Sequence, residues 1–145
     1  MFAKDLNKTK LGGVKYTVIQ SFKFDASHNL RKEDFSYLHH NSLVGLMKCF
    51  HNHGHTYSLD VEWEGFPTDQ EPMIYPFGEL KDYTQTLVRC CDHSNLNEVF
   101  DFPTTLENVG NWFFKRLKTF ECEKLKLRAI VLREGSNNRI RVENI

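Results

Sequence analysis

The chain has 145 residues, of which 40% are hydrophobic and 26% are charged, a composition typical of one globular domain rather than of a disordered chain. Its 19 basic and 19 acidic residues give a formal net charge of zero, which excludes the strong positive field that non-specific binding to nucleic acid or to an anionic membrane requires. We therefore predict one domain over residues 1–145, with no nucleic-acid or membrane partner, in which residues 1–14 form a loose N-terminal extension.

The start of the chain and its cysteines indicate a cytoplasmic protein. Residues 1–7 lack the apolar core of a signal peptide, and no run of the sequence has the roughly 20 apolar residues that span a bilayer. The four cysteines form no C-x-x-C pair, and the adjacent Cys90 and Cys91 are awkwardly spaced for a disulfide framework. We expect all four thiols to be reduced.

Two strands are predicted in the first half of the chain. Over residues 15–28 the apolar side chains alternate with polar ones, and His28 has the same parity as the apolar set. Residues 29–48 are polar and irregular, and a connection of that length is often functional. A second strand follows from His53, whose inward face consists of His53, His55, Tyr57, Leu59, Val61 and Trp63.

Two helices and two more strands are predicted in the second half. Apolar residues recur at three- and four-residue steps from about Phe77 to Cys91. A second helix opens after Pro103 with a capping box, in which Thr104 is the cap and Glu107 its partner. Strands over residues 125–133 and 139–142 end the chain. The order β-β-α-α-β-β predicts an α+β fold with a four-stranded antiparallel sheet.

Histidines are concentrated in one segment, since six of the seven lie between His28 and His55. Residues i and i+2 of a strand point to the same side, so His53 and His55 can converge on one metal ion, with His28 as a third ligand. Three histidines and one open position are typical of a catalytic zinc site. The alternative is a set of strand histidines with satisfied hydrogen bonds. A cupin-type site would also need a glutamate downstream, where Asp60 faces the other way.

Four further residues can carry chemistry, although each has an ordinary structural explanation. Cys49 precedes His53 by four residues, and a thiolate near a cation can act as base or nucleophile; otherwise it is a small buried hydrophobic residue. Asp92 and His93 follow the first helix and form either a proton relay or a helix-terminal pair. Glu134 ends a strand, where its carboxylate can bind a guanidine-like donor pair or simply be solvated.

Five motifs taken together resemble the family of 6-pyruvoyltetrahydropterin and 6-carboxytetrahydropterin synthases. Residues 24–28 resemble its F-x-A-x-H motif, residues 49–55 its C-x3-H-G-H motif and residues 79–81 its helix-opening E-L-K. Residues 92–97 resemble D-H-x-x-L-N, residues 105–108 resemble T-x-E-N, and Glu134 stands where the family has a late glutamate. The motifs follow the family order over residues 16–142.

This resemblance implies a T-fold and an active site at an interface of a homo-oligomer, a trimer or a hexamer. It implies that His28, His53 and His55 bind Zn²⁺ and that Cys49 is the proton-abstracting base. Asp92 and His93 would form a relay, Glu134 would anchor the pterin, and Thr105 would line its pocket. The capping box is a sufficient explanation for Glu107, so this residue is not among the expected site residues.

The implied substrate is 7,8-dihydroneopterin triphosphate, and the resemblance is consistent with two alternative products. C-x3-H-G-H and D-H-x-x-L-N resemble the carboxytetrahydropterin enzymes of queuosine biosynthesis, which we favour. The 20 residues between His28 and Cys49 resemble the longer loop of the pyruvoyl enzymes of biopterin biosynthesis. A non-catalytic zinc- and pterin-binding module is a third possibility. The sequence departs from the family at Pro76, and His39, His40 and His51 are additional candidates for contact with the metal.

Overall fold

The structure, a computed structural model, describes residues 10–145, so most of the predicted N-terminal extension lies outside the described residues. The strands are β1 (Tyr16–His28), β2 (His53–Gly65), β3 (Ser94–Asn95), β4 (Leu125–Glu134) and β5 (Asn138–Glu143). The α-helices are α1 (His40–Leu46), α2 (Phe77–Cys91), α3 (Leu96–Val99) and α4 (Leu106–Lys118). Short 3₁₀ turns occupy Lys32–Phe35 and Met47–Phe50. None of the helices in residues 10–145 is long and apolar enough to cross a membrane.

The sheet has five strands in the order β3-β1-β2-β4-β5, rather than the four that the sequence predicted. The four long strands are antiparallel to their neighbours, as expected, and β3 pairs in parallel with the end of β1. A strand of two residues is too short to show an alternating pattern, and for that reason sequence reasoning missed it.

The hydrophobic core lies between one face of the sheet and the two long helices. The predicted inward residues of β1 and β2 are buried there, and Phe24 stacks on Tyr57 with ring centroids 4.9 Å apart and also contacts Phe113 of α4. On α2 the innermost residues are Leu80, Thr84, Val88 and Cys91, whereas Cys90 is exposed. Because the apolar side chains of all these elements meet on one face, the other sheet face is left mainly polar.

The connections contain two corrections to the sequence analysis. The long segment after β1, expected to be irregular, contains α1 and the two 3₁₀ turns. The cap of α4 is Thr105, whose hydroxyl accepts a hydrogen bond from the backbone N–H of Asn108 at 3.2 Å, so the predicted capping box of Thr104 and Glu107 is wrong. Thr104 is buried instead, because its side chain serves the histidine cluster described below.

An irregularity in β4 determines which way the end of that strand faces. Opposite β2, Leu127 pairs with Trp63 and Ala129 with Glu62, so Arg128 has no partner and forms a bulge. Leu127 and Ile130 are both buried although they are three residues apart. Glu134 consequently lies opposite Tyr57, on the face that carries the core.

The end of β2 supplies a test of the packing. A Cβ atom at Gly65 would overlap the Ile74 side chain and lie 3.0 Å from the backbone oxygen of Lys124. We expect Gly65→Ala to lower the free energy of unfolding by about 1–3 kcal/mol, because backbone cannot move aside cheaply. Gly78→Ala is the control, since nothing lies within 4 Å of a Cβ there, and its effect should stay below about 1 kcal/mol. Urea denaturation of both variants measures this, and equal effects would contradict the packing.

Candidate metal centre

Three histidines converge at the end of the β1–β2 pair. His28 lies directly opposite His53 in the antiparallel register, and His55 lies opposite Ala26 on the same face. His28 is buried and the other two are half-buried. Their ring centroids are 4.6 to 5.3 Å apart, and one ring nitrogen from each lies within 4.8 Å of the others. The strand register therefore assembles the three side chains that the sequence singled out.

Backbone carbonyls fix the protonation of two of these rings. His28 Nδ1 lies 2.9 Å from the carbonyl oxygen of Thr104, and His53 Nδ1 lies 2.7 Å from that of His51. A carbonyl only accepts hydrogen bonds, so both Nδ1 atoms carry the proton and donate it. In the neutral tautomer that these bonds select, the Nε2 atom has a lone pair.

Glu134 places a carboxylate beside these lone pairs. Its Oε1 atom is 3.4 Å from His28 Nε2 and 3.5 Å from His55 Nε2. The Nε2 atom of His28 is buried, and no atom of the described residues meets it in hydrogen-bond geometry. Lone pairs and a carboxylate that face one another repel unless a positive charge lies between them. The arrangement thus fits a cation, and imidazole nitrogens are the ligands of a transition metal.

The electrostatics of the cluster favour the metal-binding protonation states. Contact with His28 lowers the pKa of the Glu134 carboxyl, against the opposing effect of burial, so this group is ionised at neutral pH. Burial lowers the pKa of His55, against the opposing effect of Glu134, so its imidazole is neutral. Neutral imidazole is the form that binds a metal.

A polar network contacts the Nδ1 side of the His28 ring, and it was not predicted from the sequence. The backbone N–H of Asn29 donates to Asn97 Oδ1, and Asn97 Nδ2 donates to the carbonyl of Asn29, both at 2.9 Å. The Thr104 hydroxyl lies 3.2 Å from Asn97 Oδ1 and 3.2 Å from His28 Nδ1. The final asparagine of D-H-x-x-L-N therefore joins β1 to the segment that holds the His28 ring. Asn97 could have been chosen as a site residue from the sequence because it belongs to this motif.

Two clefts flank the histidines. The first, which we call the Glu134 cleft, has a volume of about 490 Å³ and contains the predicted pocket residue Thr105. The second, the His93 cleft, has a volume of about 660 Å³ and also contains His55. The Glu134 cleft is lined by His28, Leu30, Thr105, Leu106, Glu107, Glu134, Asn137, Asn138, Arg139 and Ile140. Glu107, which is free of the predicted capping role, is thus a site candidate that sequence reasoning left out.

Asp92 and His93 form a pair in a strained turn beside the second cleft. Asp92 Oδ2 lies 3.0 Å from His93 Nδ1, and Asp92 Oδ1 accepts the backbone N–H of Asp25 at 3.0 Å. That bond is the main reason that the pKa of Asp92 is lowered. His93 has φ of 56°, held by its N–H bond to the carbonyl of Asp25, and its side chain is 82% exposed. A non-glycine residue in this conformation is uncommon and is often functional.

Cys49 is not brought to either cleft by the described residues of one chain. It lies in the 3₁₀ turn before β2, where it is half-buried and its carbonyl accepts the backbone N–H of Leu30. His39, His40 and His51 are likewise outside the group of converging rings found in residues 10–145. His51 takes part through its carbonyl alone, as the acceptor for His53.

Comparison with known proteins identifies the family. A family model described as 6-pyruvoyl tetrahydropterin synthase matches residues 17–144, nearly the whole chain. The chain belongs to the 6-pyruvoyl tetrahydropterin synthase family. This membership confirms the resemblance read from the five motifs and makes the chain a lyase of the pterin synthase type.

Relatives within this family carry different names. The chain is 31% identical over 130 residues to a dihydroneopterin monophosphate aldolase of Pyrococcus furiosus, covering 90% of this chain and 99% of that protein. It is 30% identical over 120 residues to a 6-pyruvoyl tetrahydrobiopterin synthase of Dictyostelium discoideum, covering 79% and 86%. A 6-carboxy-5,6,7,8-tetrahydropterin synthase of Aquifex aeolicus is 26% identical over 91 residues, covering 61% and 56%.

A solved structure confirms the fold of this family member. The 6-pyruvoyl tetrahydropterin synthase of Caenorhabditis elegans superposes with a TM-score of 0.76 at 23% identity, covering 91% of this chain and 97% of that one. The predicted T-fold is therefore correct, with the added short strand β3.

The histidine cluster predicts how metal content responds to substitution. We expect His28→Ala to reduce bound metal from about one ion per chain to near zero, because it removes the buried ligand of three. His40→Ala, outside the cluster, is the control and should keep its metal. Mass spectrometry of purified, metal-loaded variants measures this, and full retention by His28→Ala would mean that another residue supplies the third ligand.

The Asn97 network predicts a smaller effect on metal affinity. We expect Asn97→Ala to weaken metal binding by about 10-fold, because the segment that orients His28 loses both bonds to Asn29. Competition with a chromogenic chelator gives the affinity. The control is Asn111→Ala, at an exposed position of α4, and a loss of equal size there would contradict the role of the network.

Proposed function

We propose that this chain is a zinc-dependent lyase that converts 7,8-dihydroneopterin triphosphate and one water molecule to 6-carboxy-5,6,7,8-tetrahydropterin, with release of triphosphate and acetaldehyde. The observation that carries the proposal is the convergence of three imidazoles and the Glu134 carboxylate between two clefts. The choice of product follows from the C-x3-H-G-H and D-H-x-x-L-N motifs. The cytoplasmic location expected from the sequence is part of this proposal.

In this proposal His28, His53 and His55 hold Zn²⁺ at the boundary of the two clefts. A bound zinc ion supplies a Lewis acid that lowers the pKa of hydroxyl groups on the substrate side chain. The chain contributes the orientation of its ligands, since the carbonyls of Thr104 and His51 hold two of the rings through Nδ1, which would leave Nε2 to bind the ion.

The Glu134 cleft accommodates the pterin ring. An ionised carboxylate accepts two parallel hydrogen bonds from the N–H groups of an aminopyrimidine edge, much as it does from a guanidinium group. Glu134 is in that state because contact with His28 lowers its pKa. Thr105 and Glu107 line the same cleft and add polar contacts at the far side of the ring.

Proton transfer falls to Cys49, Asp92 and His93. His93 lies in the cleft that it shares with His55, and Asp92 is bonded to its Nδ1, which orients the ring as in other acid–base pairs. Cys49 lines neither cleft of its own chain. We therefore infer that the site is completed in a homo-oligomer, a trimer or a hexamer, in which Cys49 acts as the base across an interface.

A second candidate function is cleavage by an aldolase mechanism. It is favoured by the Pyrococcus furiosus relative, which matches over 99% of its own length. An aldolase acting on a monophosphate would break a carbon–carbon bond of the side chain and would release no triphosphate. The pyruvoyl product is favoured by the Dictyostelium discoideum relative. A non-catalytic pterin-binding module is disfavoured because Cys49, Asp92, His93 and Glu134 are all present.

Product identification tests these alternatives directly. Zinc-loaded protein is incubated with 7,8-dihydroneopterin triphosphate and, separately, with its monophosphate, and the products are identified by mass spectrometry. We expect triphosphate, acetaldehyde and the carboxy product. A pyruvoyl product without acetaldehyde would contradict our first choice, as would turnover of the monophosphate alone. Pterin binding with no turnover of either compound would support the non-catalytic module.

We expect the Cys49→Ala substitution to affect turnover but not metal binding. We expect turnover to fall by at least about 100-fold, the contribution typical of a general base, while metal content stays near one ion per chain. The reason is that the thiol lies outside the cluster of converging ligands. Cys90→Ala, at an exposed position of α2, is the matched control and should retain its activity. Loss of metal from Cys49→Ala would instead make Cys49 a ligand.

A further inference from the structure

The Tyr57 ring packs against the histidine cluster. It lies two residues after His55 on the same face of β2, and it is only 1% exposed. Its ring stacks on Phe24, with an angle of 6° between the ring planes. The rings of His28 and His55 meet it edge-on, with centroids 6.3 Å and 5.8 Å away. The aromatic contacts leave the ring few alternative orientations.

The Tyr57 hydroxyl has no evident role in the fold. Its oxygen is buried and no atom of the described residues meets it in hydrogen-bond geometry, so the hydroxyl is a cost to folding rather than a gain. A phenylalanine would supply the same stacking surface without that cost. A buried polar group of this kind calls for a partner that the site itself provides.

Glu134 is the polar side chain that the strand register places opposite Tyr57. Tyr57 and Glu134 are paired residues of β2 and β4, and the bulge at Arg128 puts the carboxylate on the same face as the phenol ring. Side chains that are directly opposite in an antiparallel pair have Cβ atoms about 4.5–5.5 Å apart. A phenol hydroxyl carries a proton that it can donate to a carboxylate oxygen.

We propose that Tyr57 is a positioning residue whose hydroxyl donates to Glu134 and orients this carboxylate toward the bound pterin. Nε2 atoms that bind a metal ion have no proton to offer Glu134, so the phenol would be the donor beside this carboxylate. One carboxylate lone pair is used by Tyr57, and the others accept from the ligand. The inference rests on the proposed function, since it takes Glu134 to be the pterin anchor.

Tyr57→Phe tests this role because it removes only the hydroxyl. Binding of 7,8-dihydroneopterin to the zinc-loaded full chain is measured by isothermal titration calorimetry, and kcat and KM are measured on whichever phosphate form is turned over. We expect Kd and KM to rise by about 5- to 10-fold, the contribution of one ordinary hydrogen bond, with kcat within about twofold of wild type. Metal content and Tm should not fall.

Two further variants separate positioning from a general structural effect. Tyr83→Phe removes a hydroxyl that donates to the carbonyl of Arg116 at 2.9 Å, far from the cluster in the fold, and should lower Tm without changing Kd. In a Glu134→Ala background, Tyr57→Phe should have no additional effect on Kd, because the acceptor through which it acts is gone.

The outcomes distinguish a failure of the role of Tyr57 from a failure of the proposed function. Unchanged Kd and KM in Tyr57→Phe, or an equal loss in the Glu134→Ala background, would overturn the role of Tyr57 and leave the proposed function intact. If the wild-type chain binds no pterin and turns over neither phosphate form, the proposed function fails and the inference fails with it.

Discussion

The antiparallel register between β1 and β2 is the constraint on which the rest of the site depends. It sets His28 opposite His53 and thereby brings a third imidazole to the two that alternate on β2. A shift of one residue would turn every side chain of a strand to the other face, so the register that buries Phe22 and Phe24 is also the one that assembles the histidine cluster. The burial of apolar side chains that stabilises this register therefore also fixes the relative positions of the three histidines.

The remaining parts of the site are attached to this pair by features that interrupt regular structure. The bulge in β4 shifts the side-chain alternation by one, so that Glu134 faces the histidines. The left-handed backbone at His93 turns the chain beside β1, and Asp25 holds both members of the Asp92–His93 pair through backbone bonds. Asn97 and Thr104 then connect that region to the His28 ring. Irregular backbone at these points costs stability, and each instance places a polar group beside the metal centre or its clefts.

Most of the fold and the centre of the site could be predicted because they depend on local periodicity. Alternation placed His28, His53 and His55 on the inward face, and three- and four-residue spacing located α2 and α4. The errors lie where a local pattern is absent or ambiguous. β3 has two residues, and Thr104 and Thr105 are equally good caps by residue type. Only the bond from Thr104 to His28 decides between the two threonines, and a contact between residues so far apart in sequence leaves no periodic signal.

The amino-acid sequence by itself determined the family motifs, the direction of each long strand's inward face and the identity of the three converging histidines, because each is written in the spacing of a few neighbouring residues. Only the tertiary structure decided that Glu134 lies 3.4 Å from His28, that the Tyr57 ring meets the His28 ring edge-on, and that Cys49 lines neither cleft of its own chain. Those facts depend on a bulge, a turn and a loop that connect distant segments. Their geometry is set by packing, which no short stretch of sequence contains.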